Sequence, residues 1–80
     1  MHELALTQEI VAIVCQAAGE QRVRQVTLEI GQLTCVTPDA IEFCFEVVAK
    51  GTLAEGARLN IRRTSGEELM VTTMEVEEAI

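Results

Sequence analysis

Residues 23–31 have the sequence VRQVTLEIG, in which every second residue from Val26 to Ile30 is apolar. Val26, Leu28 and Ile30 would share one face of a β-strand, and the polar residues between them would share the other. Gly31 marks the end of the strand. The pattern therefore predicts a half-buried strand near the middle of the chain.

A helix is predicted before this strand. Between residues 4 and 18, apolar side chains recur at the i, i+4, i+7 and i+8 spacing of an amphipathic helix. The expected buried face is formed by Leu6, Ile10, Ile13, Val14 and Ala17. Gly19 is a natural stop for this helix. Because the helix begins almost at the start of the chain, Met1, His2 and Glu3 form its entry.

A second helix is predicted after the strand. Thr37 can cap free amides, Pro38 lacks the amide that would have no partner there, and Asp39 complements the helix dipole. The helix would end at Lys50 and Gly51. Its buried face would be formed by Ile41, Cys44, Phe45 and Val48, widened by Phe43 and Val47.

Two further strands are predicted in the last third of the chain. Ala57, Leu59 and Ile61 alternate with polar residues, and a turn at residues 64–66 leads into a strand over residues 69–76. The apolar phase of that strand slips near residues 72–73, which predicts a bulge or a twist there. The order α-β-α-β-β indicates an α+β fold with two helices packed on a three-stranded mixed sheet. The first two strands would be parallel, through a right-handed crossover, and the last two would form a hairpin.

Length and composition limit the function. Eighty residues allow one domain, residues 1–80, and a hydrophobic fraction of 49% is that of a globular protein. The net charge of −7 and the absence of Trp and Tyr argue against nucleic-acid binding. No apolar stretch is long enough to span a membrane, and no leader is apparent, so a cytoplasmic protein is expected.

The three cysteines do not form a metal-binding pattern. Cys15, Cys35 and Cys44 are widely spaced among apolar neighbours, and no Cys-X-X-Cys pair exists. We expect them to be reduced and to pack as small hydrophobic side chains. No pair of nucleophile and base is visible either, so the chain is not expected to be an enzyme.

His2 is the only histidine, and its position suggests a metal site. The Met1 amine and the His2 amide nitrogen can close a five-membered chelate ring, and the imidazole Nδ1 can close a six-membered one. A metal that displaces an amide proton is most often Ni(II) or Cu(II), which accept planar nitrogen sites, and Zn(II) is a weaker candidate. The fourth position could be filled by the Glu3 amide, the Glu3 carboxylate or water. From spacing alone, a solvated terminal histidine is the common alternative.

Several motifs resemble one family along the whole chain. They are MHELAL at 1–6, LEIG at 28–31 with Leu33 and Cys35-Val36, PDA at 38–40, FCFEVV at 43–48, GT at 51–52, AEG at 54–56 and MEVE at 74–77. Together they are similar to the HypA/HybF hydrogenase-maturation factors. The resemblance implies a nickel metallochaperone that binds Ni(II) through the Met1 amine, the His2 amide and imidazole, and the Glu3 amide.

The resemblance also implies partners. Members of the family work with a maturation GTPase and pass nickel to the precursor of the hydrogenase large subunit, and in some organisms they also support urease. A second hypothesis is a protein-interaction module that docks on the GTPase without needing metal.

The chain departs from the family pattern at one place. Family members carry a zinc ribbon with two Cys-X-X-Cys pairs between the second and third strands, whereas here a short turn at about residues 63–67 joins them. We therefore expect a nickel-binding domain with no zinc domain and no structural zinc. A monomer is expected, and a strained turn would instead favour a domain-swapped dimer.

Overall fold

Two helices and three strands follow one another in the predicted order, so the α+β class is confirmed. The structure is a computed structural model and describes residues 3–77. The elements are α1 (Glu3–Ala18), β1 (Val23–Gly31), a short 3₁₀ helix (Gln32–Thr34), α2 (Pro38–Val48), β2 (Arg58–Thr64) and β3 (Leu69–Val76).

The sheet has the order β2-β1-β3, so β1 lies in the middle. β1 and β2 are parallel, as predicted, and β1 and β3 are antiparallel. The predicted hairpin of the last two strands is wrong, because β2 and β3 lie on opposite sides of β1. The most apolar strand takes the central position, where neighbours on both sides cover its backbone.

The bulge predicted in the third strand is confirmed. Thr27 pairs with Thr73 while Leu28 pairs with Val71, which leaves Thr72 as an extra residue of β3. The Thr72 hydroxyl donates a hydrogen bond of 3.3 Å to the Thr27 carbonyl. This side-chain bond partly replaces the ladder contact that the bulge removes.

One hydrophobic core lies between the sheet and the helices. Val26, Leu28 and Ile30 of β1 are fully buried there, as the alternation predicts. The residues of α1 that are buried are Thr7, Ile10, Val11, Val14 and Ala18. The predicted face of α1 is therefore rotated, and Ile13 is 57% exposed. Apolar residues surround most of this helix, so periodicity alone did not select the side that meets the sheet.

The buried face of α2 is narrower than predicted. Ile41 and Phe45 are buried, but Phe43 is 68% exposed and Val47 is 49% exposed. The prediction that these two residues widen the buried face is wrong. Residues two apart on a helix point to nearly opposite sides, and one sheet covers only one of those sides. Pro38 is the first helical residue, as predicted.

Thr37 precedes α2 but does not cap it with its side chain. Its carbonyl instead accepts the Ile41 amide, at 3.1 Å, as the first helical hydrogen bond. The helix start was thus correctly located, although the predicted side-chain cap is absent there.

Candidate metal site at the start of the first helix

Of the three predicted ligand residues, Glu3 lies within the described part of the chain. It is the first residue of α1, and its side chain is half-buried. Met1 and His2 lie outside the described residues. Glu3 therefore fixes where the candidate site lies relative to the fold.

The backbone amide of Glu3 has the chemistry that a metal ligand needs. The first four N–H groups of an α-helix have no acceptor within the helix. Since Glu3 opens α1, its amide nitrogen can lose a proton to a metal without breaking a helical hydrogen bond. The positive end of the helix dipole also favours the anionic form of that nitrogen.

Thr7 holds this first turn in place. Its side chain is fully buried, and its hydroxyl donates a hydrogen bond of 2.7 Å to the Glu3 carbonyl. A threonine one turn into a helix often bonds back to the carbonyl four residues earlier. The sequence alone does not reveal this role of Thr7, because a threonine in a helix usually looks like a solvated position. Its effect is to fix the position of Glu3 against the core.

The charged side chains of α1 do not oppose cation binding. The helix carries Glu3 and Glu9 and has no Lys or Arg. A divalent cation at the start of α1 therefore meets no like charge from the side chains of its own helix.

Within residues 3–77, no group of three or more His, Cys, Asp or Glu side chains is arranged to hold a metal ion. The three cysteines are free thiols, with Cys15 and Cys44 half-buried. Cys35 is exposed, which corrects the expectation that it packs as an apolar residue. It ends the 3₁₀ helix in the left-handed conformation, with φ 60°.

A groove of about 760 Å³ lies beside α1, and Glu3 is not among the residues that line it. Its lining is mainly apolar and comes from the middle of α1, the end of α2 and the segment that follows. Cys15 and Glu55 are its potential metal donors, which is too few for a closed site.

The connection from β2 to β3 crosses the end of β1. Residues 65–68 pass over Gly31, whose amide donates to the Glu68 carbonyl at 2.8 Å. The Leu33 amide donates to the Gly66 carbonyl at 3.1 Å. A short turn at residues 19–22 joins the end of α1 to the start of β1.

The chain is similar to a family of known proteins. A family model described as hydrogenase/urease nickel incorporation, metallochaperone, hypA matches residues 1–69. The chain is 58% identical over 66 residues to the hydrogenase maturation factor HypA of Geobacter metallireducens, covering 82% of this chain and 60% of that protein. The corresponding protein of Trichodesmium erythraeum is 53% identical, with 82% and 58% covered. The chain thus spans about 60% of the length of these relatives.

A solved structure has the same fold. The solution structure of the Ni metallochaperone HypA from Helicobacter pylori matches with a TM-score of 0.72, covering 98% of this chain and 95% of that one. At 14% identity, this similarity supports the fold alone. No helix within residues 3–77 combines the length and the hydropathy that crossing a membrane requires.

Proposed function

The chain belongs to the hydrogenase/urease nickel-incorporation family, HypA, and from this premise we propose that it is a nickel metallochaperone domain. It binds Ni(II) at its N-terminus and delivers the ion for maturation of nickel–iron hydrogenase. The observation that carries the proposal is the position of Glu3, which opens α1 with an amide free of helical hydrogen bonding.

The proposed ligands are four nitrogens from three consecutive residues. They are the Met1 amine, the His2 amide, the His2 imidazole and the Glu3 amide. This set favours an ion that accepts planar nitrogen coordination, as Ni(II) does. The Glu3 carboxylate then serves to orient the site by hydrogen bonding, as side chains beside metal ligands commonly do.

The proposed site suits delivery more than storage. All of its donors must lose protons or be free of them, so affinity rises with pH and binding releases protons. The chelate ring closed by the fourth donor, from Glu3, has poorer geometry than the rings closed by the first three donors. The lower affinity that results allows the ion to be released. The proposed receivers are a maturation GTPase and the precursor of the hydrogenase large subunit, in the cytoplasm. The domain carries the ion and catalyses no reaction.

We further propose that residues 1–80 act as one nickel-binding domain without structural zinc. Residues 65–68 join β2 to β3 by a short connection, and the resemblance implies that family members carry the ribbon between these two strands. The hydrogen bonds of Gly31 and Leu33 hold this connection against β1 of the same chain, and we propose a monomer because exchange of β3 would have to remake them between two chains.

The second candidate function is an interaction module that needs no metal. It is favoured by the outer face of α2, where Phe43 and Val47 are exposed. Exposed aromatic side chains are frequent anchors in protein interfaces. Under this alternative, the GTPase binds equally well to the chain with and without nickel.

The test is calorimetric titration with Ni(II) of the chain that begins at Met1 and of the same chain with a short leading peptide. We expect one site per chain in the first protein, and its loss in the second, because the leading peptide converts the Met1 amine into an amide. Equal nickel binding by both proteins would remove the carrier assignment. GTPase binding that survives in the extended chain would then support the interaction module.

A further inference from the structure

Negative charge is concentrated on the two helices of this molecule, and positive charge is concentrated on β2. The charged residues of the two helices are all acidic, namely Glu3, Glu9, Asp39, Glu42 and Glu46. β2 has the opposite character, with Arg58, Arg62 and Arg63 and no acid. In a chain of net charge −7, β2 is therefore a basic strip.

β2 is also an edge strand. Within residues 3–77 it pairs with β1 only, so half of its backbone N–H and C=O groups have no strand beside them. Leu59 and Ile61 face the core but remain half-buried, whereas Leu28 and Ile30 of β1 are fully buried. An added strand could thus pair with β2 and also cover apolar surface that the helices leave open.

A bulge in β1 brings a further arginine to this region. Val23 pairs with Val76 and Gln25 pairs with Glu75, so Arg24 is an extra residue of β1. Strict alternation from Val26 would turn Arg24 toward the core, but Val23 is buried and Arg24 is exposed instead. Bulges often redirect a side chain in this way at functional positions.

The redirected arginine lines a polar cavity of about 210 Å³. The cavity is formed by Arg24, Gln25, Gly56, Arg58 and Glu75. No ion pair within 4 Å joins Glu75 to either arginine in the described residues, where the observed pair is Arg62 with Glu29 at 3.9 Å. The lining contains two arginines and one glutamate, and Arg58 of the edge strand β2 is one of the arginines. The net positive charge of the cavity suits a carboxylate.

We propose that the free edge of β2 binds an extended acidic segment of a partner protein as an added strand. Backbone hydrogen bonds would hold the segment along Arg58–Thr64, and its acidic side chains would pair with Arg58 and Arg62. One carboxylate would enter the cavity beside Arg24. The seven residues of β2 match a segment about 23 Å long.

A second copy of this chain fits the edge poorly. Pairing of β2 with another β2 would bring arginines close to one another, and charged edge strands commonly prevent such self-association. Pairing with the edge of another β3 would meet the Thr72 bulge, which interrupts the straight row of backbone groups. An acidic segment that belongs to a different protein avoids both problems.

The probe is a capped heptapeptide of alternating valine and glutamate with a fluorescent label, and binding is followed by polarisation. We expect Arg58→Glu to weaken binding at least about tenfold, because it places like charges together. Lys50→Glu makes the same charge change outside β2, in the segment after α2, and should change affinity less than about twofold. A valine–lysine peptide should not bind. Unchanged melting temperatures of both variants exclude unfolding as the cause.

Two methylated peptides test whether the peptide is added as a strand. Alternate amides of an added strand face β2, and the remaining ones face away. Methylation of the amide nitrogens that face β2 should abolish binding. Methylation of the amide nitrogens that face away should leave binding unchanged. The proposal is overturned if both peptides bind alike, if Lys50→Glu weakens binding as much as Arg58→Glu, or if the unbound chain self-associates through this edge.

Discussion

Replacement of His2 by alanine is expected to lower nickel affinity at least about a hundredfold, the upper end of the loss produced by removing a residue that only supports a metal ligand. The change deletes the imidazole nitrogen and leaves the Met1 amine and both amides in place. Without the six-membered ring that the imidazole closes, little remains to offset deprotonation of the amides. Competition titration against a chelator of known affinity measures the loss.

Glu3→Gln is the matched control for this experiment. It removes the Glu3 carboxylate but keeps the backbone amide that opens α1. We expect a loss of less than about tenfold, as for a group that orients a ligand without binding the metal. If Glu3→Gln reduced affinity as much as His2→Ala, the carboxylate would be the fourth ligand and the amide assignment would be wrong.

Gly31→Ala is expected to destabilise the fold by about 3 kcal/mol, toward the upper end of the usual effect of adding a methyl group to a packed site. A Cβ at Gly31 would overlap the Gly66 carbonyl oxygen, and would lie 2.5 Å from the Gly66 carbonyl carbon and 3.0 Å from the Glu67 nitrogen. These are backbone atoms of the connection that crosses β1, so no side chain can turn aside. The melting temperature should fall by roughly 12 °C or more.

Gly66→Ala provides the control on the other side of the same contact. A Cβ at Gly66 would meet nothing within 4 Å, and its backbone lies outside the left-handed region. Stability should stay within about 1 kcal/mol and increase if it changes, because alanine restricts the unfolded chain. Equal destabilisation by both substitutions in thermal unfolding would show that the close crossing at Gly31 does not limit the fold.

The elements of the fold could be predicted from sequence, but the order of the strands could not. Alternation located β1 and β3 closely, because each strand presents one face to the core. A connection of four residues between β2 and β3 is typical of a hairpin. Here it passes over β1 instead, which is possible because Gly31 has no side chain at the crossing point. Hydrophobic patterns identify strands, but they do not show which strands pair with each other in the sheet.

The helix faces illustrate a second limit. Phe43 belongs to an apolar run in which Phe45 is the buried aromatic residue. Hydrophobicity alone predicted that both residues are buried in the core. A helix packed on one sheet, however, buries only one side. The exposed Phe43 is visible only when the position of the sheet is known.

The candidate site was predicted from the position of His2 in the chain and from the family resemblance, and not from spacing alone. His2 next to a free amine suggests chelation, because three nitrogens follow from two residues. The role of Thr7 was hidden, since its hydroxyl bond to the Glu3 carbonyl depends on where α1 begins. The Arg24 bulge was hidden as well, because it depends on the pairing of β1 with β3.

Electronic absorption of the nickel complex across pH tests the nitrogen site most directly. If the amine, the imidazole and two deprotonated amides bind Ni(II), a d–d band of planar, diamagnetic nickel should grow in as the pH rises and the amides lose their protons. The weak bands of octahedral nickel throughout the titration would mean that the backbone amides are not ligands, and would contradict the proposed site.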